Sequence, residues 1–86
     1  MRMIALGRPD DTRGFALAGV ETARCDSATE GVALVAALAA DASVGIVVLP
    51  AWLADGAASA IAAVRARRRG PVVVVLPGTN SERTTA

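Results

Sequence analysis

Two runs in this chain, Val44-Gly45-Ile46-Val47-Val48-Leu49 and Val72-Val73-Val74-Val75-Leu76, carry no polar side chain at any position. A strand with one wet face alternates apolar and polar residues, and these do not. Both faces therefore need cover, as in the interior of a parallel sheet with helices on either side. Two further apolar segments read as strands: Met3 to Leu6, and Val20 to Arg24, which alternates more and reads as an edge.

The segments between the strands carry helical signals. Ser27-Ala28-Thr29-Glu30 has the form of a capping box, in which the Ser27 hydroxyl accepts from the Glu30 amide and the Glu30 carboxylate reaches back to the Ser27 amide. The helix that starts there has Leu34, Val35 and Leu38 on one face, with Ala28 and Gly31 a turn earlier. Its alanine-rich course to about Asp41 favours helix intrinsically. A further helix is expected from about Ala51 to Arg68, because Leu53, Ala57, Ile61 and Val64 fall at i, i+4, i+8 and i+11; Gly70 and Pro71 stop it. The first helix, about Thr12 to Ala18, is short, with Asp11 or Thr12 as N-cap and Gly19 at its C-terminal end.

Strand and helix thus alternate four strands deep, which with right-handed crossovers gives a parallel sheet between helices. The expected fold class is α/β, a small flavodoxin-like three-layer sandwich with a four-stranded parallel sheet of order 2-1-3-4 and helices on both faces. Residues 1–78 are expected to form one α/β domain. Residues 79–86 are polar and without apolar periodicity, the pattern of a disordered tail. With 86 residues the core is thin, so a partner would add stability. No signal-peptide pattern and no apolar run near the roughly 18 residues of a membrane span are present, so the chain reads as a soluble cytoplasmic protein without direct membrane insertion. One cysteine, Cys25, excludes an internal disulfide and any Cys-pair metal site.

The chemical inventory is narrow. There is no histidine, hence neither the commonest general base nor the commonest neutral metal ligand. The basic residues are all arginine, and 9 of them against 8 acids leave a formal charge of +1, too little to draw nucleic acid or anionic membrane generally. Aromatics, at 2%, offer few platforms for stacking on bases. In an open parallel sheet, ligands bind beyond the carboxyl ends of the strands near the topological switch. Here that rim carries Arg8, Asp10, Asp11, Pro50, Ala51, Trp52 and Pro77. A phosphate site would need a glycine-rich loop, but Gly7-Arg8-Pro9-Asp10-Asp11 has one glycine, a proline without an amide hydrogen and two carboxylates. Asp10-Asp11 resembles the acidic pair of response-regulator receiver domains, yet the strand-ending phosphoacceptor is replaced by Leu49-Pro50 and the lysine is missing. Cys25 has no histidine to activate it, and neighbouring Asp26 opposes thiolate formation, so a structural thiol is expected. Arg65, Arg67, Arg68 and Arg69 either compensate a helix end or contact nucleic acid or anionic lipid. Trp52, the one tryptophan, either packs over the sheet edge or anchors a partner. No catalytic residue, cofactor site or metal site is expected.

Three blocks carry a family resemblance. Gly14-Phe15-Ala16-Leu17-Ala18-Gly19-Val20, behind a strand and an Asp-Thr turn, resembles the Gly-Phe-x-Leu-Ala-Gly-(Ile/Val) motif of the F subunit of V-type and archaeal A-type ATPases. Val44 to Leu49 resembles that family's third strand, and Pro71 to Gly78 its Pro-(Val-rich strand)-Pro-Gly ending, so the match runs in order from about Met1 to Gly78. The resemblance implies a non-catalytic central-stalk rotor component. Such a component sits on the coiled-coil D subunit of the stalk and helps couple ATP turnover in the A/B catalytic head to proton or sodium transport. The location it implies is cytoplasmic, peripheral to the membrane through the complex. Family members commonly continue into a C-terminal helix linked to regulation, which this sequence does not show, and the turn Arg8-Pro9-Asp10-Asp11 departs from the family's Gly-Asp-x-Asp-like turn. The residues considered for partner binding are Phe15, Trp52 and Leu53 as apolar contributors and Arg8 and Asp10 as orienting charges. Two other readings stand beside this one: a degenerate receiver-like or nucleotide-sensing α/β module, and a module that forms a homodimer through an exposed strand edge or the alanine-rich helix face.

Overall fold

The computed structural model describes residues 2–67 and 70–77. Along the chain it has β1 (Arg2–Gly7), α1 (Pro9–Leu17), β2 (Glu21–Arg24), α2 (Ala28–Ala39), β3 (Val44–Pro50), α3 (Ala51–Gly56), α4 (Ala58–Arg65) and β4 (Val72–Leu76). Every neighbouring pair of strands is parallel, in the order β2-β1-β3-β4. This is the expected flavodoxin-like winding. The polar segment 79–86 lies outside the described residues.

Register divides the sheet into two faces. Met3, Ile46 and Val72 stand side by side, as do Ala5, Val48 and Val74. The alternating set of Ile4, Leu6, Val47, Leu49 and Val73 points the other way. That second set joins Val35 and Ala39 of α2, Leu53 of α3, and Ile61 and Val64 of α4 in one buried core. The step from β1 to β2 runs opposite to the later crossovers, so right-handedness puts α1 on the other face, against β1 and β2. The stripe Leu53, Ala57, Ile61, Val64 is buried along its whole length, with no member more than 6% exposed.

Four expectations are corrected, three of them at helices. The last helix breaks in two at Ala57, whose backbone (φ −113°, ψ 21°) leaves helical geometry. A Cβ on Gly56 would collide with Ala28 of α2, so close packing between α2 and α3 is combined with the poor helix propensity of glycine at the break. The second piece ends at Arg65, and Arg68 and Arg69 lie outside the described residues. The first helix begins earlier, with Arg8 as N-cap and Pro9 at the position where its fixed φ and missing donor suit a helix start; Asp11 is the third helical residue. At α2, Ser27 Oγ accepts from the Glu30 amide at 3.2 Å as expected, but the Glu30 carboxylate takes the Asp26 amide at 3.1 Å instead of that of Ser27.

The fourth correction concerns cover. The strand order makes β4 an edge: Val72 and Val74, on the face away from the core, are 62% and 40% exposed, and Val75, on the core side, is 37% exposed. An apolar run that calls for helices on both sides receives one on the core side only, among the described residues.

At the opposite end of the sheet, Arg2 ties three segments together. Its guanidinium meets the Glu21 carboxylate of β2 as a two-pronged pair (2.6 and 3.0 Å) and Asp41 before β3 at 3.2 Å. Hydrogen bonding from Arg2 holds the Glu21 carboxyl below its ordinary range, and hydrogen bonds from Ser43, followed by the pull of Arg2, do the same for Asp41.

Two outcomes follow from this packing. A Cβ on Gly31 would collide with Leu53 Cδ1 and sit 3.5 Å from Cys25 Sγ. Gly31→Ala should therefore destabilise the fold by about 1–3 kcal/mol in urea denaturation, although alanine is the better helix former; equal or greater stability would show that Leu53 relaxes without cost. Both carboxyls are depressed in the folded chain, so their stabilisation is complete above the unfolded values and is lost as pH falls through the folded ones. The urea midpoint should drop below about pH 4, and Glu21→Gln should flatten that drop; an unchanged slope would remove Glu21 from the account.

Candidate functional site

The carboxyl ends of β1 and β3 meet where the chain order reverses, the position at which this architecture accepts ligands. Gly7 ends β1 at φ +147°, a backbone conformation that favours glycine, and a Cβ there would lie 2.7 Å from Asp11 Cβ. The sharp turn folds α1 back so that its first turn faces the start of α3. Asp11 then accepts two hydrogen bonds on one oxygen, from the Arg8 amide at 2.9 Å and from the Trp52 indole at 3.0 Å. The Arg8 guanidinium lies 4.2 Å above the Trp52 ring, a stacking that the ring quadrupole favours. Its other edge reaches the Asp26 carbonyl beyond β2, at 3.5 Å.

The rim is thus a small locked cluster. The N-terminus of α1, where a phosphate would gain from exposed amides, already holds a carboxylate of its own chain. Asp10 and Asp11 do not act as a pair: successive helical residues diverge by about 100°, and Asp11 is half-buried toward Trp52 while Asp10 is exposed. Among the described residues, no group of three or more His, Cys, Asp or Glu could hold a metal ion. Cys25 is fully buried, its thiol donates to the Ser27 carbonyl at 3.2 Å, and burial pushes its pKa up. That is the setting of a structural thiol. Arg65 donates to the Val73 carbonyl at 3.0 Å and Arg67 to the Ala39 carbonyl at 3.2 Å. Arg67 therefore serves the C-terminal end of α2 rather than that of its own helix.

Of the residues considered for partner binding, the structure brings Arg8 and Trp52 into contact and leaves Arg8 and Asp10 exposed. Phe15 is half-buried on α1, one turn beyond Asp11 on the same side. Leu53 is 0% exposed and packs into the core against α2, so it offers no surface; the stripe that made it a helix-face residue also takes it inside. Asp11 is the residue whose organising part goes beyond the sequence reading. Its signal is an acid three positions after a helix N-cap, which could be placed only once the true start at Pro9 was known.

A family model described as ATP synthase (F/14-kDa) subunit matches residues 3–86. Comparison with curated proteins gives no match.

Asp11→Ala would leave the Trp52 indole and the Arg8 amide without their acceptor. A loss of about 1–2 kcal/mol is expected in urea denaturation, together with greater acrylamide quenching of the sole tryptophan. Unchanged stability and quenching would mean that Trp52 is held by stacking alone.

Proposed function

The chain belongs to the family of the ATP synthase (F/14-kDa) subunit, and from that membership we propose that it is the non-catalytic central-stalk F subunit of a V/A-type rotary ATPase. In this reading it docks on the coiled-coil D subunit of the stalk, turns with it, and helps couple ATP turnover in the A/B head to proton or sodium transport. It works at the membrane periphery through the complex; among the described residues no helix is long and apolar enough to cross a membrane. The family match over residues 3–86 carries the proposal.

The rim supports it in two ways. Asp11, the acid that a receiver-like or nucleotide-sensing reading would need for chemistry, is held by Arg8 and Trp52. Trp52 itself is half-buried, with Arg8 stacked on it at the surface, and Asp10 is exposed on the first turn of α1. A large aromatic with flanking charges is the composition of an interface anchor, with the tryptophan supplying area and the charges supplying orientation.

Co-expression with the coiled-coil stalk partner of the same genome should yield a complex that stays together on gel filtration with light scattering at one copy of each chain. Trp52→Ala should weaken it by roughly tenfold or more. Separate elution of the two wild-type chains would overturn the proposal.

A further inference from the structure

The face of the sheet that carries α1 is half covered. α1 lies over β1 and β2, and among the described residues no helix lies over β3 and β4 on that side. The part left open is aliphatic and lies mainly along β4: Val72 is 62% exposed and Val74 40%, with Leu76 half-buried, while on β3 Ile46 is half-buried and Val48 only 4% exposed; Met3 of β1 is 38% exposed. The wall of this channel is α1. Asp11 turns toward α3, which follows β3, so the side of α1 bearing Asp11 looks onto the open strands, and Gly14, Phe15 and Ala18 share it at i+3, i+4 and i+7. Gly14 is a glycine in mid-helix with no atom within 4 Å of where a Cβ would stand. Such a residue lowers helix stability, and no contact inside the described chain accounts for it. Close approach of another backbone would.

We infer that this channel seats one amphipathic α-helix of a partner chain, with an apolar stripe about three turns long. The inference rests on the stalk reading, in which the partner is a coiled coil and supplies such helices. The five residues of β4 span roughly 17 Å, matching about eleven helical residues, and this open strip runs along the sheet edge beyond the wall of α1. Other occupants fit less well. Residues 78–86 read Gly-Thr-Asn-Ser-Glu-Arg-Thr-Thr-Ala and hold no large apolar side chain to lay on valines. A second copy inserting its own α1 would bring Asp10 and Arg13, exposed beside Leu17, onto an apolar floor. Strand addition at β4 meets Arg65, which already takes the Val73 carbonyl.

The test uses the full chain with the coiled-coil stalk protein of the same genome, and reads dissociation constants by calorimetry. Val74→Asp and Gly14→Leu in the channel should each weaken binding by roughly tenfold or more with unchanged circular dichroism, while Ala63→Asp, on the exposed side of α4, should bind like wild type. Gly14→Ala should raise the melting temperature of the isolated chain yet weaken binding, a split that a purely structural residue would not give. Channel variants that bind like wild type would overturn the channel and leave the stalk reading standing. Failure of the wild-type chain to bind the stalk protein would overturn the stalk reading, and this inference with it. A homodimer of the isolated chain that Val74→Asp dissolves would make the occupant a second copy and overturn the partner helix.

Discussion

Everything in this fold follows from a sheet whose two central strands, β1 and β3, must be dry on both faces. Ala5 and Val48 on one side, and Leu6, Val47 and Leu49 on the other, are each at most 4% exposed. Chain crossovers can meet that demand only by placing helices on opposite faces, and with three crossovers the helices divide unequally, one against three. The richer face becomes the core. There, small residues set the spacing: Gly31 admits Leu53 and Gly56 admits Ala28, so α2 and α3 approach closely enough to exclude water around Cys25. Among the described residues, the poorer face has α1 alone.

This division explains which features could be read from the residues. Strand positions were legible because short runs that are apolar at every position leave little choice, and the stripe Leu53, Ala57, Ile61, Val64 was legible because burial follows helical spacing. The break at Ala57 was not, because its cause is contact with Ala28, far away in sequence, and a helical stripe survives a one-residue interruption. The exposure of β4 was hidden for the opposite reason. Its composition reports what the strand needs, whereas strand order decides what it receives, and an edge strand in a four-stranded sheet receives less.

The rim shows how a position common to ligand-binding α/β proteins is turned to another use. The amides at the start of α1 are the asset a phosphate would exploit. Asp11 takes that role within the chain, and the same oxygen fixes the Trp52 indole, so one carboxylate caps a helix and aims an aromatic. Trp52 alone would be one half-buried aromatic. Held by Asp11 below and Arg8 above, it loses little rotational freedom when a surface closes over it, which lowers the entropic cost of association.

In the proposed stalk role, the chain would have to transmit position, which requires a rigid body and an interface that does not slip. The core face meets the first requirement. The α1 face meets the second only when occupied, since aliphatic side chains at 62% and 40% exposure gain by losing water and have no preferred partner until something excludes alternatives. At the carboxyl end of the sheet, Arg8 stacked on Trp52 supplies a charged group that can limit the alternatives. A helix laid along β4 would meet that charged aromatic near one end and aliphatic side chains along its length. In that proposed docking, the rim would set register and the valines affinity, so that the incomplete sandwich would become a socket.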